Sequence, residues 1–241
     1  AGFPTGLKWS FMPKNDPRPS YLVVNADESE PGSCKDREIM RHDPHLLVEG
    51  CLVASFAMRA HACYIYVRGE FIREPERLQA AIDEAYAAGL IGENILGSGF
   101  SCDILIYRGA GSYVCGEASA LITSIEGKRG YPRNRPPRLT VRGLYQKPTV
   151  INNVETLSNI AWIVTHGSAA FKAIGSPKAS GTRLISLSGH VVNPGVFEIE
   201  YGYPWKRLIY EDAGGMMHGA KLKCVIPGGI STKVLTREEV E

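Results

Sequence analysis

The sequence predicts an α/β protein whose centre is a parallel sheet. Three short runs, at residues 21–26, 63–67 and 103–107, are apolar and rich in branched or aromatic residues, as buried strands are. Between these runs, residues 44–59 and 74–88 place apolar side chains at helical spacing. Because strands that alternate with helices form βαβ units, we expect the three strands to run parallel in one sheet.

Polar side chains directly follow the first predicted strand. Asn25, Asp27 and Glu28 lie where that strand ends. In open parallel sheets, ligands bind beyond the carboxyl ends of the strands. The sequence therefore predicts a ligand site at this edge, although Asn25 and Asp27 have a second interpretation as residues that cap a strand-to-loop turn.

Two further helices and one long loop are predicted downstream. The helices span residues 115–126 and 153–164, and Asn152 and Asn153 stand at the start of the second. Both helix starts are candidate anion sites, because helix N-termini attract negative charge. Residues 128–147 hold several prolines and arginines without periodicity, which indicates a basic loop able to cover a nucleotide.

The composition of the chain changes in its last third. Residues 175–181 are rich in glycine and serine, as linkers are, and β-rich runs follow at residues 184–189 and 195–199. The sequence therefore predicts a larger domain at residues 1–174 and a smaller one at residues 175–241.

Composition also argues against several functions. The 241 residues carry 27 lysines and arginines against 25 aspartates and glutamates, a net charge of +2 that provides no broad basic surface for nucleic acid. Charged residues interrupt the most apolar stretch, residues 46–67, so no membrane span is predicted. The six cysteines show no CxxC spacing, which argues for a reducing compartment and against a zinc or iron–sulfur site among these residues.

The first eleven residues have the composition of a nucleotide-binding loop. Gly2 and Gly6 are able to adopt positive φ and leave room for a ligand, and Lys8 offers a cation for a phosphate. Phe3 and Phe11 offer rings that stack on a flat base. Taken alone, the same composition also fits an ordinary surface turn.

Four blocks of sequence together indicate one family. They are residues 1–11, residues 21–32 with Asn-Ala-Asp-Glu-Ser-Glu-Pro-Gly, residues 109–117 with Gly-Ala-Gly-Ser-Tyr-Val-Cys-Gly-Glu, and residues 147–156 with Asn-Asn-Val-Glu-Thr. In this order they resemble the flavoprotein, NADH-oxidising subunit of respiratory complex I, NADH-quinone oxidoreductase. That family is shared with the diaphorase subunits of NAD-linked hydrogenases and formate dehydrogenases. The resemblance covers essentially the whole chain.

The resemblance implies both the fold and the cofactor contacts. It implies a Rossmann-like FMN- and NADH-binding domain of parallel sheet and helices, followed by a small β-grasp-like domain of the SLBB or ubiquitin-like type. Residues that match the family's FMN site are Lys8, Asn25, Asp27, Glu28, Tyr113, Gly116, Glu117, Ile151, Asn152, Asn153 and Thr156. Residues that match its nucleotide loop and adenine pocket are Gly2, Gly6, Phe3, Phe11 and Glu30. Structural alternatives exist, since Asn153 can cap a helix and Phe11 can pack in a core.

Two departures from the family pattern fall in the nucleotide pocket. The family has Cys-Gly-Glu-Glu, whereas here Ala118 follows Glu117. In the family the missing carboxylate lies by the adenosine ribose, and a carboxylate there accepts a hydrogen bond from a 2′-hydroxyl and repels a 2′-phosphate. The family's Lys-Pro-Pro-Phe is Arg135-Pro-Pro-Arg138 here, so a guanidinium able to stack or to pair with phosphate replaces a phenylalanine. Both departures predict a weaker preference for NADH over NADPH.

The function implied by the resemblance is NADH oxidation. NADH passes hydride directly to FMN without a catalytic side chain, and electrons then go to iron–sulfur clusters and quinone. The ligands of the family's own [4Fe-4S] cluster are absent from these residues, so we expect this chain to be a segment of a longer protein. The alternatives are an NADPH-accepting variant, a diaphorase subunit of a hydrogenase or formate dehydrogenase, and a structural paralogue with impaired nucleotide oxidation.

Partners and location follow from the same resemblance. We expect a small cluster-bearing subunit and a multi-cluster subunit as neighbours in the complex. The expected location is cytoplasmic and peripheral to the inner membrane through the complex, or on the matrix side of a mitochondrion.

Overall fold

The computed structural model describes residues 2–241, so Ala1, the first residue of the predicted nucleotide-binding loop, lies outside it. Contacts divide the chain into two compact units. The first holds the residues up to Ser29 together with Asp36–Trp162, and the second holds Glu30–Lys35 and Ile163–Glu241. The domain boundary between residues 174 and 175 stays a prediction.

The first unit is built on a four-stranded sheet. Its strands are β1 (Tyr21–Ala26), β2 (Ala62–Val67), β3 (Asp103–Arg108) and β4 (Thr149–Asn153), in the spatial order β3-β2-β1-β4. All neighbouring strands pair in parallel, which confirms the predicted α/β class. Sheets of this kind are covered on both faces, and the central strand β1 accordingly buries Leu22, Val23 and Val24 completely.

Helices supply the cover on the two faces. They are α1 (Thr5–Ser10), α2 (Lys35–His42), α3 (Pro44–Met58), α4 (Arg73–Ala87), α5 (Ala118–Ile125) and α6 (Val154–His166), with short 3₁₀ turns at Ile95–Gly97, Tyr113–Gly116 and Leu144–Gln146. Leu47 of α3 and Leu78 of α4 belong to the apolar cluster that contains Leu22. Leu121 of α5 belongs to a second cluster, which contains Val23 from the other face of β1.

Local sequence sets both ends of α3. The Asp43 side chain accepts a hydrogen bond from the Leu46 N–H at 3.2 Å, and Pro44 occupies the first turn, where its missing N–H costs nothing. Arg59 ends the helix in the left-handed region, with φ 58°.

Gly50 of α3 lies against the backbone of α6. A Cβ added at Gly50 would lie 2.1 Å from the Leu157 carbonyl oxygen and 2.7 Å from the carbonyl carbon. Since real Cβ atoms do not approach backbone so closely, the two helices keep this separation only with glycine at residue 50.

The second unit is built from antiparallel pairs and short helices. In chain order it contains α7 (Ser168–Ala173), β5 (Gly175–Ser176), β6 (Ala179–Ser180), β7 (Thr182–Leu187), β8 (Gly195–Glu200), α8 (Trp205–Arg207), a π-helical turn (Leu208–Asp212), a 3₁₀ turn (Met217–Gly219), β9 (Cys224–Val225), β10 (Leu235–Thr236) and α9 (Arg237–Val240). β5 pairs with β6, β7 with β8, and β9 with β10. Val191, Ile209 and Leu222 lie in its core. The β-grasp assignment of this unit stays a prediction.

Several sequence predictions were wrong in detail. Residues 5–10 form α1 rather than a loop, and Gly6 lies within this helix without a positive φ. The helix predicted at residues 115–126 is interrupted, because Glu117 is extended (φ −76°, ψ 133°) in order to cap α5. Residues 175–181, predicted as a linker, include the β5–β6 hairpin. α2 and β4 were not predicted at all.

Across residues 2–241, every helix falls short of the combination of length and apolar character that a membrane crossing needs.

Candidate functional site

The candidate site lies at the carboxyl end of β1 and β4. Helix α1 is fixed there by two consecutive side chains: Lys8 Nζ donates to the Ile151 carbonyl oxygen, and Trp9 Nε1 donates to Asn152 Oδ1 at 2.9 Å. Burial and the nearby positive charge of Arg135 lower the pKa of Lys8. The predicted phosphate cation is thus held beside the end of β4.

Asn25 joins the end of β1 to the block at residues 109–117. Its Nδ2 donates to the Gly116 carbonyl oxygen at 2.9 Å, and its Oδ1 accepts from the Asp27 N–H at 3.1 Å. Asp27 is half-buried, which raises the pKa of its carboxyl, and it accepts a hydrogen bond from Ser29 Oγ at 2.5 Å. The turn-capping interpretation of Asn25 therefore holds, and two of the predicted blocks meet here.

Glu28 and Asn153 also take part in helix capping. The buried carboxylate of Glu28 accepts from the N–H groups of Asp36 (3.2 Å) and Arg37 (3.1 Å), at the start of α2. Asn153 Oδ1 accepts from the Glu155 N–H at 3.1 Å, and its Nδ2 donates to Asp36 Oδ2 at 2.7 Å. Sequence reasoning missed Asp36, because α2 was not predicted.

Glu117 is the N-cap of α5. Its Oε2 accepts from the N–H groups of Ser119 at 2.8 Å and Ala120 at 2.9 Å. Burial acts to raise its pKa, but these hydrogen bonds and the charge of Arg135 outweigh it and hold the pKa below the ordinary value. The start of α5, predicted to receive an anion, is already occupied by this carboxylate.

Replacing Glu117 with alanine is expected to destabilise the first unit by about 1 kcal/mol at pH 7, the usual loss for an N-cap. Because the folded-state pKa is depressed, the contribution is complete above about pH 4.3, the unfolded value, and disappears as pH falls through the folded pKa. Urea unfolding of wild type and variant at pH 7 and pH 3 measures this. The control Glu93→Ala, at an exposed glutamate, should leave the midpoint unchanged. An equal Glu117→Ala loss at both pH values would contradict the capping role.

Aromatic rings and an arginine gather beside α1. The Phe3 and Phe11 ring centroids are 6.3 Å apart, and Arg138 Cζ lies 5.2 Å from the Phe11 centroid. Both rings are about half exposed, at 48% and 40%. Arg135 forms an ion pair with Glu117, with Nη2 and Oε1 3.4 Å apart. The predicted adenine-stacking rings and Arg138 therefore share one surface, and Arg135 lies beside Glu117 and near Lys8.

The basic loop, residues 128–147, is anchored on α5 and the residue after it. Arg133 Nε donates to Thr123 Oγ1 at 2.9 Å, and its Nη2 donates to Glu126 Oε2 at 2.7 Å. The Glu126 Oε1 accepts from the Tyr145 N–H at 2.9 Å, so one carboxylate holds two distant points of the loop. Nothing in the sequence distinguished Arg133 or Glu126 from the other charged residues nearby.

The other predicted residues lie in varied surroundings. Glu30 belongs to the second unit, where its Oε1 accepts from the Ile230 N–H at 2.8 Å. Tyr113 is 59% exposed, Thr156 is half-buried in α6, and Gly2 is exposed. Their cofactor contacts stay predictions, as does that of Gly6. Within residues 2–241, no group of three or more His, Cys, Asp or Glu side chains is arranged to hold a metal ion.

An open parallel sheet with polar side chains gathered at its carboxyl edge is the arrangement of Rossmann-like nucleotide-binding proteins. The family model of the Nuo51 FMN-binding domain matches residues 1–162, and the chain belongs to this family.

Curated relatives and solved structures agree. The chain is 54% identical over 242 residues to the F-type chain of the NADH-quinone oxidoreductase of Rickettsia typhi, covering 100% of this chain and 58% of that protein. It is 58% identical over 240 residues to the mitochondrial NADH dehydrogenase [ubiquinone] flavoprotein 1 of Dictyostelium discoideum, covering 98% and 50%. In a crystal structure of air-oxidised NAD⁺-reducing [NiFe]-hydrogenase, one chain superposes with a TM-score of 0.89 at 38% identity, covering all of this chain and 40% of that one. The chain thus spans 58% and 50% of the lengths of these two curated relatives.

Proposed function

We propose that this chain binds FMN at the carboxyl end of β1 and β4 and presents it to NADH, as the electron-input part of an NADH dehydrogenase. The proposal is carried by one observation: four segments far apart in sequence converge at this edge through direct side-chain contacts. Lys8 reaches Ile151 across 143 residues, and Asn25 reaches Gly116 across 91. In this fold, nucleotides bind at the carboxyl edge of the sheet, where these polar groups converge.

The residues present fit an anionic, oxygen-rich cofactor. Lys8 supplies a cation, and the amide group of Asn152 supplies N–H donors at a buried position. Asp27 is half-buried at the end of β1, and burial raises the pKa of its carboxyl. When bound, FMN accepts a hydride and gives up electrons one at a time. The side chains bind and orient the two cofactors, and no proton-transferring residue is required.

The nucleotide half of the site is the surface formed by Phe3, Phe11 and Arg138. Two exposed rings and a guanidinium plane are suited to stacking on a flat base. In the loop of residues 128–147, Arg135 pairs with Glu117 and lies near Lys8 of α1, whose pKa its charge lowers. In the complete protein we propose that electrons continue to a [4Fe-4S] cluster whose ligands lie outside this chain, and then to quinone.

We further propose neighbouring subunits that carry the next clusters, one small and one with several clusters, since FMN must pass its electrons to one-electron carriers. This places the protein in the peripheral part of a membrane complex, on the cytoplasmic or matrix side. The likeness to the NAD⁺-reducing hydrogenase supports an alternative parent complex, a hydrogenase in which this chain is part of the diaphorase subunit.

The test is anaerobic reduction of the full-length protein's flavin, followed by its visible absorbance. NADH is expected to bleach bound FMN within the mixing time of a stopped-flow experiment. Bound FMN that neither NADH nor NADPH bleaches would instead assign the protein to structural paralogues, and absence of FMN from protein reconstituted with it would overturn the proposal.

A second candidate function is NADPH oxidation at the same site. It is favoured by Arg138 on the stacking surface and by Arg135 beside Glu117, together with Ala118 in place of a carboxylate. The same flavin-bleaching experiment with NADPH tests it.

A further inference from the structure

Asn152 is a buried residue whose amide oxygen is paired within the chain. The residue is 4% exposed, and its Oδ1 accepts from Trp9 Nε1 at 2.9 Å. Within residues 2–241 the Asn152 Nδ2 has no hydrogen-bond partner. This NH₂ group is not completely shielded from solvent, so it is available to an acceptor that the chain does not itself provide.

Trp9 determines which way that amide faces. An indole N–H only donates, so the Asn152 atom opposite it must be the oxygen, and the NH₂ group is turned away from the indole. Without the indole N–H, nothing distinguishes this orientation from the one rotated by 180°. The rotated amide would present its oxygen, rather than its two N–H donors, to an incoming ligand.

Helix α1 keeps the indole in place. Lys8, the residue before Trp9, donates to the carbonyl of Ile151, the residue before Asn152. Two consecutive helix residues therefore bind two consecutive strand residues. Trp9 also packs against the main apolar cluster of the first unit, which fixes its ring.

We propose that Trp9 is a positioning residue, which acts through Asn152 by holding both N–H donors toward bound FMN. This inference rests on the proposed function, because it takes FMN as the ligand. FMN offers hydrogen-bond acceptors in its phosphate, its ribityl hydroxyls and its ring carbonyls. The Asn152 N–H donors attract these acceptors, whereas an Asn152 oxygen turned toward a phosphate or carbonyl oxygen of FMN would repel it.

The test is FMN affinity of the full-length protein after removal and re-addition of flavin, followed by quenching of FMN fluorescence. Trp9→Phe keeps the aromatic ring and removes the N–H. We expect about fivefold to tenfold weaker FMN binding, the loss of roughly one neutral hydrogen bond. Trp205→Phe makes the same chemical change in the second unit and is expected to leave FMN affinity unchanged.

A double-mutant cycle separates positioning from packing. In an Asn152→Ala background, which itself weakens FMN binding, Trp9→Phe is expected to cause no further loss. An equal loss in both backgrounds would show that Trp9 acts through packing alone and would overturn the inference, as would unchanged affinity of Trp9→Phe in the wild-type background. A wild-type protein unable to rebind FMN would refute the proposed function, a result distinct from either of these.

Discussion

Replacing Gly50 with alanine is expected to destabilise the first unit by about 3 kcal/mol, the upper part of the range for overpacking. The new Cβ would lie 2.1 Å from the Leu157 carbonyl oxygen, which belongs to the backbone of α6 and has no side-chain rotation with which to yield. α3 and α6 must then separate, which loosens the apolar cluster beneath the sheet. Urea unfolding followed by far-UV circular dichroism measures the change.

The matched control is Gly6→Ala, the same substitution in another helix. A Cβ at Gly6 meets no atom within 4 Å, so alanine is expected to be neutral or to stabilise by up to about 1 kcal/mol through its better helix propensity. If Gly50→Ala unfolds at the same urea concentration as wild type, α3 and α6 are not in backbone contact.

Introducing a carboxylate with Ala118→Glu is expected to lower kcat/KM for NADPH by at least about tenfold, because a charge beside the 2′-phosphate is repulsive in a partly buried site. The kcat/KM for NADH should be retained or improve, since the carboxylate is able to accept from the 2′-hydroxyl. Ala118 lies partly buried at the start of α5, next to Glu117 and its partner Arg135. Steady-state kinetics of the full-length protein with both nucleotides measures the ratio.

Ala173→Glu adds the same charge at an exposed alanine of α7 and serves as the control for net charge. It should leave both kcat/KM values unchanged. A NADPH-to-NADH ratio that stays the same in Ala118→Glu would show that residue 118 does not face the ribose, and would remove the support that Ala118 gives to NADPH use.

The sheet was largely predictable, because three of its four strands carry strong local signals. β1, β2 and β3 are apolar and β-branched or aromatic, and the structure moves their predicted limits by at most one residue. β4 was not predicted, since it has five residues and ends in two asparagines. α2 was missed for a related reason: six of its eight residues, Lys-Asp-Arg-Glu-Ile-Met-Arg-His, are charged or titratable, and only Asp36 and Met40 are buried.

The site was predicted in its residues but not in its connections. Resemblance to a family supplied Lys8, Asn25 and Asn152, and the structure brings their segments together. Trp9 and Arg133 escaped notice because their importance lies in tertiary contacts, 143 residues away for Trp9. Local rules also misjudged the first eleven residues: glycines suggested a loop, whereas α1 is a short helix held by its contacts with β4.

The Glu126 carboxylate, which holds two points of the basic loop, affects how the nucleotide-binding surface is able to change in evolution. Glu126 fixes the backbone through Arg133 and the Tyr145 N–H, and neither of these residues belongs to the stacking surface. Arg135 and Arg138 lie on the same loop, but the Glu126 contacts that anchor it are made by other residues. The side chains at residues 135 and 138 are therefore able to change, in evolution or by design, while the Glu126 anchor of the loop is kept.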